Sequence, residues 1–141
     1  MKNLITVLAI AMIAACTQKP AQPTTSIDEA KTQEVLDNHL KAFIGNDLEA
    51  VMADYTEASI LITPDVTFRG LAEIRKNFVG AFAAFPKDST TLTVTKTIVA
   101  QDLAYSVWTA KAPKVEVTLG TDTFIIRDGK IVQQTFAGAM K

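Results

Sequence analysis

The chain has 141 residues, 48% of them apolar and 21% charged, which suits one domain with a single core beside any targeting segment. Its 14 basic and 15 acidic side chains give a net charge of −1 with no basic block, which argues against a nucleic-acid partner. One cysteine and one histidine are too few for a disulfide framework or a typical zinc site.

Lys2 followed by the apolar run Leu4 to Ala15 reads as a signal peptide over residues 1–15. The run is too short to cross a bilayer, which takes about 20 residues. It ends in Ile13-Ala14-Ala15-Cys16, an aliphatic residue, two small residues and a cysteine, which resembles a bacterial lipobox. That resemblance implies cleavage before Cys16 and a lipid on this sole cysteine. Residues 16–27 contain Pro20 and Pro23 among small and hydroxyl side chains, the composition of a flexible tether. Thr17 is not the aspartate with which similar lipoproteins stay in the inner membrane. The expected location is therefore the cell envelope, on the outer membrane facing the periplasm where the cell has one. The folded domain is expected over 28–141.

From Asp28 to Ile44, apolar residues Val35, Leu36, Leu40, Phe43 and Ile44 recur at three- and four-residue spacing, as on one face of a helix. Gly45-Asn46 ends it, and Asp47 can cap a short second helix from Leu48 to about Tyr55. Ala58 to Thr63 is a β-segment stopped by Pro64. After an Arg69-Gly70 turn, Leu71, Ile74, Phe78, Phe82 and Phe85 mark a third helix closed by Pro86.

Beyond Asp88 the pattern turns to alternation. Leu92, Val94 and Ile98 mark one strand; Ala104, Ser106, Trp108 and Ala110 alternate with Leu103, Tyr105 and Val107 in a second. Val115 to Arg127 places Asp122, Phe124 and Ile126 on one face, and Asp128-Gly129 is a hairpin turn into Ile131 to Phe136. Three helices, one short strand and a four-strand antiparallel meander predict an α+β fold with helices on one face of a curved sheet.

This order resembles the nuclear transport factor 2-like superfamily, which includes SnoaL-like cyclases and ketosteroid isomerases. The residues that carry the resemblance are Gly45-Asn46-Asp47-Leu48, Tyr55, the SILITP segment ending at Pro64, Phe68-Arg69-Gly70, Ile74-Arg75, Phe78, and the closing strands Asp122 to Phe136. It implies a cone-shaped curved sheet against three N-terminal helices, an apolar pocket, and a homodimer through the outer sheet face. Aligned on these motifs, His39 falls where the isomerase has its tyrosine, Asp122 where it has its protonated aspartate, and Thr63 where it has its base. Threonine does not shuttle protons at neutral pH, and general-base catalysis contributes about 10²–10⁴-fold, so ketosteroid isomerisation is not expected.

His39 lies four residues from both Val35 and Phe43, on the buried face of the first helix. It is either a hydrogen-bonded core residue or a donor to a ligand carbonyl. Asp122 is either a strand aspartate paired with a hydroxyl, Arg127 or Arg69, or a neutral carboxyl donor to the same ligand. Tyr55, Thr63 and Trp108 complete the candidate ligand-binding set; Asp65 reads as a turn residue. No cofactor or metal is implied, and no Gly-x-Ser-x-Gly or phosphate loop occurs. The expected function is a lipid-anchored domain binding a small, mostly apolar molecule. A SnoaL-like isomerase, cyclase or hydratase using His39 or Asp122, and an interaction module with a filled pocket, stay open beside it.

Overall fold

The computed structural model describes residues 27–141; the expected signal segment, Cys16 and the tether before Ile27 lie outside the described residues. Helix α1 spans Glu29–Ile44, and the Asp28 side chain accepts from the Lys31 N–H at its start. Asn46, rather than Gly45, takes the left-handed conformation after it, with φ 52°. Asp47 then caps α2, Leu48–Ala53, by accepting from the Ala50 N–H. A six-stranded sheet follows in the spatial order β2-β1-β6-β5-β4-β3. Strands β1 (Ile60–Ile62) and β2 (Thr67–Arg69) precede helix α3, Gly70–Ala84. The four long strands are β3 (Thr91–Ala100), β4 (Leu103–Lys111), β5 (Glu116–Arg127) and β6 (Lys130–Met140).

The long strands form the expected antiparallel meander. Asp128 and Gly129 both have positive φ, 52° and 70°, the requirement of a type I′ hairpin between β5 and β6. Register shifts interrupt three ladders, at Val94/Lys96 in β3, Trp108/Ala110 in β4, and Val117/Leu119 and Ile125/Ile126 between β5 and β6. Such bulges bend strands and increase twist, which lets the sheet curl around the helices.

Two features depart from the sequence reading. Arg69, expected in a turn with Gly70, instead ends strand β2 with Thr67 and Phe68, because the Thr63–Val66 turn folds these residues back onto β1. Strand β1 then pairs parallel with β6, the one parallel ladder among the described residues. The α helices cover the concave face, α1 lying across β3, β4 and β5 and α3 against α2, β1 and β2. Among the described residues, no helix is long and apolar enough to cross a membrane.

The buried side chains form two clusters. The larger joins Leu36 of α1, Val51 of α2, Ile74 and Phe78 of α3, and Phe124 and Ile131 of the sheet. The smaller centres on Trp108, Ala110 and Val117, with Phe85, Leu92, Val94 and Phe136 against them. Burial of each large apolar side chain contributes about 1.5–3 kcal/mol.

Candidate ligand site

A cavity of about 460 Å³ is walled by members of both clusters. Aromatic rings form much of it: Phe43 and Phe78 from the helices, Phe85 beyond α3, and Trp108, Phe124 and Phe136 from the sheet. Thr63, Pro64 and Asp65 line it at its more exposed end, while the buried polar residues His39, Asp122 and Gln134 line the interior.

The alternation of β4 and β5 turns Trp108 and Asp122 inward. Trp108 donates from Nε1 to Asp122 Oδ2 at 2.7 Å, across the ladder that pairs Trp108 with Gly120. Gly120 makes that geometry available. A Cβ there would lie 2.5 Å from the indole Cε2, so any other residue would displace the ring. Phe136 stacks on the indole at 5.8 Å between centroids, and Phe85 meets it edge-on at 6.3 Å. Tyr105 falls on the outer face of the same strand and is half-buried.

The other oxygen of Asp122 is also engaged. Gln134 Nε2 donates to Oδ1 at 2.8 Å, and the Gln134 carbonyl accepts from the Tyr55 hydroxyl. Burial pushes the Asp122 carboxyl above its ordinary value of 3.8, while the Trp108 and Gln134 hydrogen bonds, and His39 whenever its ring is protonated, act the other way. Burial, with the charges of Asp122 and Asp54, also holds the Tyr55 phenol well above its ordinary 10.0, so it stays a donor. The arginines considered as partners of Asp122 are elsewhere: Arg127 pairs with Asp102 at 2.8 Å, and Arg69 is exposed at the start of α3.

His39 is 2% exposed, and its ring is met edge-on by Tyr55, Phe78 and Phe124 at 5.3–5.9 Å. Its Nδ1 lies 2.9 Å from Asp54 Oδ2. Tyr55 lies outside the cavity lining and acts through Gln134 rather than from the wall. Thr63 does line the cavity, but its hydroxyl donates to the Val66 carbonyl and accepts from the Val66 N–H, both at 3.2 Å. The turn occupies it. Among the described residues, no three His, Cys, Asp or Glu side chains converge on a metal-sized site.

The sequence reading missed Asp54 and Gln134. Asp54 ends α2, where an aspartate reads as a helix terminus. Gln134 could have been found from its neighbours: in β6 it faces inward with Phe136, a polar residue at an apolar position.

The profile of the SnoaL-like domain matches residues 36–134, most of the chain. The chain belongs to the SnoaL-like domain family. No curated protein matches it. Among solved structures, a nuclear transport factor 2-like protein of unknown function from Mesorhizobium loti is 21% identical with a TM-score of 0.67, covering 79% of this chain and 93% of that one. A proposed ketosteroid isomerase from Kribbella flavida is 17% identical with a TM-score of 0.67, covering 80% and 81%. A proposed polyketide cyclase from Sinorhizobium meliloti is 18% identical with a TM-score of 0.64, covering 74% and 94%. These likenesses show that the SnoaL-like domain has the nuclear transport factor 2-like fold.

Proposed function

We propose that this SnoaL-like domain binds a small, mostly apolar molecule in its cup, with the polar group of that molecule at the His39–Asp122 end. The observation that carries the reading is the cavity of about 460 Å³, apolar and aromatic in its walls, with three buried polar side chains reaching it. Small-molecule sites have that composition: apolar walls supply affinity and a few placed polar groups fix orientation. An open cup of this size also disfavours an interaction module whose pocket is filled by its own side chains.

Proton-transfer catalysis of the isomerase, cyclase or hydratase kind is a second reading, favoured by one contact. His39 is held by a carboxylate at Nδ1, as bases are held in many active sites. Thr63 leaves the isomerase base position without a base, so such an enzyme would work through His39 or Asp122.

Native mass spectrometry of protein purified from its own host tests the binding reading. The expected result is one added small-molecule mass per chain, reduced when His39→Phe and Asp122→Asn are combined. A ligand retained equally by wild type and the double variant would sink the polar role of the pair.

The lipobox-like Ile13-Ala14-Ala15-Cys16 supports an anchor that holds the domain in the envelope, on the outer membrane where one exists. Cys16→Ser is expected to move the protein from the membrane to the soluble fraction. A variant that stays with the membrane would contradict the anchor.

A further inference from the structure

We propose that Asp54 and His39 form a dyad that presents a bare imidazole nitrogen to the cavity, and that the cup therefore selects an apolar molecule carrying a hydroxyl, phenolic or enolic, over the corresponding ketone or ether. The inference rests on the binding reading above and names the chemical class of its ligand.

His39 lines the cavity and Asp54 does not. The ring nitrogen facing Asp54 is Nδ1, so Nε2, on the far edge of the imidazole, is the nitrogen left to the cavity. A carboxylate only accepts hydrogen bonds. In the neutral ring the proton therefore resides on Nδ1, and Nε2 carries a lone pair. Three aromatic edges against the imidazole keep it from rotating that lone pair away.

Nε2 thus meets a ligand as an acceptor, and this reverses the role that the sequence suggests for His39. A ketone at that position would bring lone pair against lone pair and leave the nitrogen unpaired. An ether oxygen has the same defect. A hydroxyl donates to Nε2 and keeps its own lone pairs for donors such as the second N–H of Gln134, whose first N–H is held by Asp122. Aromatic walls on several sides suit a flat hydroxylated ring. Asp54 is a positioning residue here: it acts through the tautomer of His39 and touches no ligand.

Two reporters are unambiguous, since the chain has one histidine and one tryptophan. In protein labelled with ¹⁵N-histidine, NMR of the neutral His39 ring should show the proton on Nδ1. In Asp54→Ala that preference should be lost while Trp108 emission stays native. A neutral ring protonated on Nε2 in the wild type would overturn the dyad without any variant being made.

The ligand class is tested by calorimetry with 2-naphthol and its methyl ether, 2-methoxynaphthalene. A single neutral hydrogen bond that only one of them can donate should favour 2-naphthol by about tenfold. That advantage should vanish in His39→Phe. Equal affinity of the two compounds for wild-type protein would overturn the inference and leave the binding reading standing. Failure of both to bind, at concentrations where apolar cups of this size take such molecules, would count against both.

Discussion

Asp122 sits where its charge is costly, and Trp108 and Gln134 each give it one hydrogen bond. Because burial raises its pKa, there is a pH window, from the ordinary 3.8 up to the folded value, in which the folded chain holds a proton that the unfolded chain has released. Stability contributed by this group is present below that window and is lost as pH rises through it. Urea unfolding of wild type and Asp122→Asn from about pH 4 to about pH 7 reads this directly. The stability of wild type relative to the variant should fall with rising pH; a flat or rising difference would contradict the assignment. Gly120 is a second residue-scale test. Gly120→Ala should push the indole of Trp108 off Asp122, costing about 1–3 kcal/mol and shifting tryptophan emission. Unchanged stability and emission would mean that the ring has room. At this scale the sequence was only partly legible. Alternation set Trp108 and Tyr105 on opposite faces of one strand and grouped Asp122 with Phe124 and Ile126 on one face of another, and helical spacing put His39 on the buried face of α1. The partners were not legible, because Asp54 reaches His39 across 15 residues, from the end of another helix, and Tyr55 reaches Gln134 across 79.

The elements owe their positions to local chemistry at their ends. Asp28 caps α1 by accepting from the Lys31 N–H, and the same helix carries His39 and lies across three strands. Asp28→Ala should cost about 1 kcal/mol in urea unfolding while leaving the cavity shape intact. A loss well above that would show that Asp28 does more than cap. Helices and long strands were readable because their apolar periods, 3.6 and 2, run over many residues. Strand β2 was not. Three residues carry no period, and Thr67–Arg69 becomes a strand only when the Thr63–Val66 turn brings it against β1. The parallel pairing of β1 with β6 is likewise a matter of where α1 and α2 deliver the chain, which no local pattern encodes.

Over the whole molecule, the concave face holds the cup and the convex face remains apolar in places. Ile98 of β3 is paired in register with Tyr105 of β4, and Leu103 with Ile125 of β5; Ile98 and Leu103 are 46% and 40% exposed. We propose, from those side chains, the homodimer through the outer sheet face that the family resemblance implies, which sedimentation of residues 28–141 tests. Ile98→Lys should convert a dimer to a monomer; a wild-type monomer at micromolar concentration would contradict it. The cup itself follows from a division in the core. The Phe78–Phe124 cluster and the Trp108 cluster both wall the same space rather than closing over it. Such a division is visible only in three dimensions. A crystal structure of the domain soaked with 2-naphthol measures its meaning most directly. The expected result is the naphthyl ring among Phe78, Trp108 and Phe136, with its oxygen about 3 Å from His39 Nε2. A probe seated elsewhere on the surface, with the cup empty, would contradict it.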